Sequence, residues 1–165
     1  MRNLTTLSAI IEILSLVTWV GGMGSLALIA APAIFEGASS RENAGRIFGL
    51  ILKRFHRIGY GCGVAILIAG GLRYYGRFSH SIYTVEVIRY AIAATMLALT
   101  LYTGIVIARR LEGLRERMEG GIDRLSKDDP RRVEFNRLHR QSTGITAFSL
   151  LLGITMSVLF GMEVY

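Results

Sequence analysis

Charged residues are scarce in this chain, and their scarcity argues against an ordinary soluble domain. Asp, Glu, Lys and Arg make up 19% of the 165 residues, whereas soluble domains contain about a quarter. Four stretches carry no charge at all: residues 13–35, 58–72, 90–108 and 141–162. A helix needs about 20 mostly apolar residues to cross a bilayer core of about 30 Å. Three of the four stretches meet or approach that length unaided.

The chain also lacks the patterns that carry most enzyme chemistry. Its one cysteine, Cys62, excludes a disulfide within the chain. There is no phosphate-binding glycine loop, no zinc motif and no nucleophile at a plausible spacing from a base. We therefore expect no enzymatic activity. The net charge of +7 would suit a nucleic-acid binder, but the basic residues flank the apolar stretches, so we expect a lipid bilayer and no nucleic acid as partner.

The apolar stretches predict an all-α protein: an integral membrane four-helix bundle with amphipathic cytoplasmic helical loops. We expect one membrane domain, 1–165, with spans at 7–34, 55–75, 83–108 and 141–163 and loops at 35–54 and 109–140. The second span is the shortest, and we expect Arg57 and Arg73 at its ends to extend toward the headgroups. We interpret the first as a true span rather than a signal peptide, because Glu12 lies within it.

The distribution of basic residues predicts an orientation. Fifteen of the 19 Lys and Arg residues lie in or beside the two long loops, and four lie on the other side. Because positively charged loops stay in the cytoplasm, we expect a multi-pass protein of the cell membrane with both termini non-cytoplasmic.

The long loops contain helix signals of their own. Ser39 and Glu42 have the spacing of a capping box, which predicts a helix that continues into the second span. Asp129 and Pro130 predict the start of another helix, which continues into the fourth span. Between them, apolar residues three or four apart predict an amphipathic helix weakened at Gly120 and Gly121; they are Leu111, Leu114, Met118, Ile122 and Leu125.

Small residues recur at four-residue spacing inside two spans: Ser149, Gly153, Ser157 and Gly161 in the fourth, and Gly59 and Gly63, with Gly61 between them, in the second. Such faces let helix backbones approach closely in lipid. We interpret them as packing surfaces within the bundle, with a homodimer as the alternative.

Several short motifs resemble a known family: residues 18–22 with Pro32 and Phe35; residues 46–50 and 55–56; residues 108–112; and residues 136–142. Together they resemble the four-helix membrane proteins typified by transmembrane protein 205, over nearly the whole chain. The resemblance implies a four-helix bundle with a basic loop between helices 3 and 4. It implies no agreed biochemical activity.

Three charged residues interrupt the apolar spans near one end: Glu12 in the first, and Glu86 and Arg89 at the start of the third. A charge at membrane depth is costly and is usually paired or lines a polar path. We predict that Glu12 and Arg89 form an ion pair that fixes helix 1 against helix 3. The alternative is a proton or ion relay.

Two histidines, His56 and His139, precede the second and fourth spans at similar predicted depth. Two such residues on neighbouring helices could bind haem or a metal. Arg54 and Arg57 flank the first, and Arg137 and Arg140 flank the second. This basic environment disfavours a cation, so we predict a collar that binds anionic lipid headgroups.

The remaining candidates are the soft ligands Met23, Cys62, Met96 and Met156, near the middle of their spans, which would suit a soft metal such as Cu(I). Methionine is also common core filler, and we predict no metal and no cofactor.

The preferred function is a non-enzymatic membrane module that acts through helix packing and anionic lipid or partner contacts. The alternatives are a small transporter or channel for a soft metal, proton or organic substrate, and a haem-binding redox protein using His56 and His139.

Overall fold

Four long helices account for almost the whole of the described chain. The computed structural model describes residues 2–76, 84–118 and 121–162. Helix α1 comprises Arg2–Ser25, a π-helical turn at Leu26–Ala30 and Ala31–Gly37; α2 is Arg41–Gly76; α3 comprises Thr84–Leu101, a π-helical turn at Tyr102–Ile107 and Ala108–Glu116; and α4 is Pro130–Met162. A short 3-10 helix, Ile122–Arg124, lies between α3 and α4.

The helices form an antiparallel ring. Each packs against the next in the chain, and α4 returns against α1, so α2 and α4 are diagonal to each other. All four helices are long and apolar enough to cross a membrane. Both ends of the described chain lie at the end of the bundle that also holds the end of α2 and the start of α3. We call this the terminal end, and the opposite end the basic end.

The helices extend well beyond the predicted spans. Only three residues, 38–40, separate α1 from α2, so most of the predicted loop 35–54 is helical. The predicted cap of α2 was wrong by one residue. Ser40, rather than Ser39, accepts a hydrogen bond from the backbone N–H of Asn43, at 3.1 Å. Two adjacent serines offer the same side-chain oxygen, and the helix uses the one that directly precedes Arg41.

The predicted start of α4 agrees with the structure. The carboxylate of Asp129 accepts a hydrogen bond from the backbone N–H of Arg131 at 2.9 Å, and Pro130 occupies the first helical position. The Arg131 side chain also donates to this carboxylate and lowers the pKa of Asp129 to about 2. The cap therefore stays charged down to acidic pH, and is lost only as the pH falls toward that value.

The connection between α3 and α4 folds onto the basic end of the bundle. Ile107, Leu114, Met118 and Leu138 form a small buried cluster, with Ile122 and Leu125 packed against it. The predicted apolar positions therefore share one core, but the helix ends at Glu116 instead of continuing through them. Gly121 adopts a φ of +87°, which favours glycine, and this turn directs the chain back toward α4.

An apolar belt fills the middle of the bundle. Its buried residues are Leu16, Trp19, Met23, Cys62, Ile66, Ala93, Met96 and Met156. Trp19 is 1% exposed and lies against the glycine face of α2, with its indole nitrogen beside Gly59 and its six-membered ring beside Gly63. The predicted small-residue face of α2 thus provides a slot for the largest side chain of α1.

We expect Gly63→Ala to destabilise the bundle and Gly61→Ala to leave its stability unchanged or slightly raised. A Cβ at Gly63 would lie 2.9 Å from Leu97 and 3.0 Å from Trp19, whereas nothing lies within 4 Å of one at Gly61. In an open helical position, Gly→Ala stabilises by roughly 0.5–1 kcal/mol. Thermal unfolding of the two variants in detergent measures the difference. Equal midpoints would mean that Trp19 does not need this slot.

Candidate functional site

The strongest candidate site is a buried charge network at the terminal end of the bundle. At its centre is Glu12 of α1, which is 0% exposed. One of its carboxylate oxygens accepts hydrogen bonds from Arg89 of α3 at 2.8 Å and from Arg73 of α2 at 3.1 Å. The other accepts the hydroxyl of Tyr90 at 3.2 Å. Glu12 and Arg89 thus form the ion pair that the sequence predicts.

Arg73 corrects a prediction. The sequence suggested that its side chain extends outward to the headgroups, yet only 12% of it is exposed and it turns inward to Glu12. Glu86 lies on the other side of its guanidinium, with the closest nitrogen and oxygen 3.9 Å apart. The buried carboxylate of Glu12 draws Arg73 inward because this pairing compensates both charges.

The network reaches all four helices through an aromatic contact. The guanidinium carbon of Arg89 lies 4.1 Å from the centre of the Phe160 ring of α4, which is within the range of a cation–π interaction. Arg89 itself is completely buried. One layer therefore ties α1, α2 and α3 by hydrogen bonds and α4 by a ring face. Among the described residues, this layer contains two glutamates and two arginines, namely Glu12, Glu86, Arg73 and Arg89.

The direct pairing of Glu12 with Arg73 and Arg89, together with the apolar belt, favours a structural role for this network over a relay. In the described part of the chain, the belt separates it from the nearest polar residues toward the basic end, which include His56, Thr100 and Thr103. Thr100 lies 11 positions after Arg89 on α3, a rise of about 17 Å. The buried side chains that the structure describes across that interval are apolar and offer no proton carrier.

The structure places the two histidines in different surroundings. His56 is buried, with a ring nitrogen 3.4 Å from the Thr103 hydroxyl and its ring stacked on Tyr60 at a centroid distance of 6.3 Å. His139 is exposed and stacks on Phe135 of its own helix. The two residues lie on diagonal helices and are not brought together in one buried site. A haem or metal role for them remains an alternative to the predicted lipid collar.

The soft-ligand candidates Met23, Cys62, Met96 and Met156 all belong to the apolar belt, among Leu, Ile, Ala and Trp side chains. Among the described residues, no group of three His, Cys, Asp or Glu side chains could hold a metal ion. Soft-metal binding by the four sulfur atoms stays an alternative, and their packing also suits an ordinary core.

The four arginines of the predicted collar are exposed on the basic end. Arg54 and Arg57 lie on α2, and Arg137 and Arg140 lie on α4, diagonally opposite. They therefore flank the bundle on two sides rather than enclosing a histidine pair. Arg137 and Arg140 line an open groove of about 410 Å³ together with Val133 and Gln141.

The small-residue face of α4 is divided between two environments. Ser149 and Gly153 are buried, and a Cβ at Gly153 would collide with Val20 of α1. Ser157 and Gly161 are exposed, and nothing lies within 4 Å of a Cβ at Gly161. The inner half therefore serves helix packing, as on α2. A homodimer through the outer half remains a prediction.

Sequence reasoning missed Arg73, Tyr90 and Phe160 as members of the network. A usable signal existed for Arg73, since it lies within one turn of the end of α2, at the same side of the bundle as Arg89. Tyr90 and Phe160 are indistinguishable by sequence from other interfacial aromatics. Their participation depends on helix rotation, which the sequence does not specify.

Comparison with known proteins gives a family but no activity. The model of the family described as a domain of unknown function, DUF4149, matches residues 14–120, about two thirds of the chain. The chain belongs to this family. The match does not connect it specifically to the transmembrane protein 205 family. No curated protein and no solved structure matches the chain.

We expect Glu12→Gln to be the most damaging single change in the network, because it leaves the charges of Arg73 and Arg89 without their shared carboxylate. Breaking one partner of a buried pair costs about 3–5 kcal/mol. Arg89→Gln should cost a similar amount, and Arg73→Gln less, because part of its side chain is exposed. The free energy of unfolding in mixed micelles measures each effect.

The double variant Glu12→Gln/Arg89→Gln should lose less stability than the sum of its single variants. Glu36→Gln, an exposed acid on the same helix, is the matched control and should have little effect. Strict additivity in this cycle would show that the two side chains do not interact.

Proposed function

We propose that this chain is a multi-pass integral membrane protein of the cell membrane. In this proposal it has no enzymatic activity and acts through its packed helices and through anionic lipid at its basic end. The observation that carries the proposal is that the protein has two separate surfaces, one apolar along the helices and one basic at one end. Large apolar side chains cover the outside of the helices, for example Val17 at 64% and Leu28 at 77% exposed. Exposed arginines cluster at one end.

Helix lengths between the charged layers support this proposal. Arg73 follows Arg54 by 19 positions on α2, and Arg109 follows Arg89 by 20 positions on α3. Phe160 likewise follows Arg140 by 20 positions on α4. At 1.5 Å per residue these intervals rise about 28–30 Å, close to the thickness of a bilayer core. The Glu12 network and the basic end would then lie at opposite edges of the hydrocarbon layer.

The basic end suits an anionic leaflet. Each exposed Lys or Arg near such a surface contributes about 1 kcal/mol of attraction, screened beyond about 8 Å. An anionic leaflet is a feature of the cytoplasmic side, and cytoplasmic loops are enriched in Lys and Arg. Both considerations favour the orientation in which the basic end faces the cytoplasm and both termini face away from it.

Cysteine labelling tests the orientation. In a Cys62→Ala background, a cysteine at Asn3 should react with an impermeant maleimide on intact cells, and one at Ser126 should react only after permeabilisation. Ser126 is exposed in the connection between α3 and α4. Labelling of Ser126→Cys on intact cells, with protection of Asn3→Cys, would reverse the orientation.

Lipid retention tests the role of the basic end. We expect the purified protein to retain phosphatidylglycerol in preference to phosphatidylcholine, measured by native mass spectrometry. Replacing Arg54, Arg57, Arg137 and Arg140 with Gln should abolish this preference, since four contributions of about 1 kcal/mol are removed. The matched control replaces four exposed basic residues farther from the apolar surface; they are Arg41, Arg46, Arg124 and Lys127.

Retention that is unchanged in the first variant would refute the lipid role. An absorbance spectrum and metal analysis of the same preparations decide the alternative. Stoichiometric haem or metal that is lost on His56→Ala or His139→Ala would favour the ligand-binding functions.

A further inference from the structure

The groove beside Arg137 and Arg140 continues into an apolar stripe along α4. At 3.6 residues per turn, Arg137, Gly144, Phe148, Leu151 and Val158 fall on one side of the helix. Phe148 is 53% exposed, Leu151 62% and Val158 59%. Gly144 and Arg137 are exposed as well. One continuous outer face is therefore cationic at one end and apolar along the rest.

Gly144 makes a notch in this face between its cationic and apolar parts. Nothing lies within 4 Å of a Cβ built at Gly144. It lies one turn after Arg140 and one turn before Phe148. The surface of α4 is therefore indented where its cationic part meets its apolar part. The position is well placed to let an apolar chain start directly beneath a charged headgroup.

The cationic end offers several hydrogen-bond donors close together on α4. Arg137 and Arg140 are three residues apart and so lie on neighbouring turns of the same face. Gln141 completes the lining, and its amide nitrogen lies 3.3 Å from the Tyr102 hydroxyl of α3, which ties the groove to the neighbouring helix. The four residues that line the groove include no acid. Two guanidiniums without a competing carboxylate in the lining suit a phosphate.

We propose that this face of α4 is a discrete binding site for one anionic phospholipid. Its phosphate lies in the groove against Arg137, Arg140 and Gln141, and an acyl chain passes over Gly144 and follows Phe148 and Leu151. The site rests on the proposed membrane function and makes it specific, because it assigns one lipid to one helix face. The attraction of the other basic residues for the leaflet is general and needs no such notch.

The proposed site needs both the positive charge of the groove and the notch at Gly144, and one variant tests each. Arg137→Gln/Arg140→Gln should lower the affinity for phosphatidylglycerol about 30-fold. The matched control is Arg109→Gln/Arg110→Gln, which removes two exposed arginines of α3 near the same end.

Gly144→Leu should reduce by one the number of lipids retained per protein, with all charges kept. Its control is Gly161→Leu, another exposed and open glycine of α4.

Native mass spectrometry in a detergent that leaves tightly bound lipid in place gives the stoichiometry. A water-soluble short-chain phosphatidylglycerol and inorganic phosphate, each added as competitor, should displace the retained lipid poorly. Efficient displacement by either would overturn the role of the acyl chain. Equal retention in Gly144→Leu and wild type would overturn the site.

These experiments also distinguish the α4 site from the proposal that the basic end as a whole binds anionic lipid. If the variant lacking Arg54, Arg57, Arg137 and Arg140 loses its preference for anionic lipid while Gly144→Leu and Arg137→Gln/Arg140→Gln behave as wild type, the basic end binds lipid but the α4 site is wrong. If none of these variants changes retention, both proposals fail. Thermal unfolding of each variant identifies any loss that results from misfolding.

Discussion

The carboxylate of Glu12 is the constraint on which the arrangement of the helices depends. It lies completely buried on α1 and is bonded by Arg73 from α2 and by Arg89 and Tyr90 from α3. A buried charge that loses its partner costs several kcal/mol, so these helices must meet at one level and with one set of faces turned inward. The Phe160 ring then places α4 against the same layer.

The rest of the interior determines how closely the helices pack rather than which helices are neighbours. Between helices that face lipid, apolar side chains gain little by meeting one another instead of the lipid tails. The apolar belt therefore depends on shape, as in the fit of Trp19 against Gly59 and Gly63. In the proposed membrane setting, the polar layer specifies which helices are neighbours, and the glycines determine how near they approach.

The parts of this structure that the sequence predicts are those that depend on position along a helix. Four helices, the start of α4 at Pro130 and the pairing of Glu12 with Arg89 all follow from where apolar runs, caps and charges occur. The cap of α2 was misplaced because Ser39 and Ser40 are equivalent in sequence. The inward turn of Arg73 was missed because an arginine near a helix end can extend outward or fold back, and only the position of its partner decides.

The sequence also does not specify how each helix is rotated about its own axis. His56 and His139 have similar predicted depth, and depth alone suggests a pair. Their helices are diagonal, and one imidazole points to Thr103 while the other lies on the surface. For the same reason the sequence does not reveal the exposed apolar stripe of α4, which becomes visible only when exposed and buried residues are separated.

The sequence separations within the Glu12 layer also constrain how the protein is made. Glu12 precedes Arg73 by 61 residues and Arg89 by 77. A chain synthesised from its N-terminus presents the acid long before either base exists. Until then, the first helix has no counter-charge from the rest of the bundle. In the proposed membrane setting, the stable placement of the first helix therefore waits for the second and third helices, so that biogenesis ends with the closing of this layer rather than with the entry of each helix in turn.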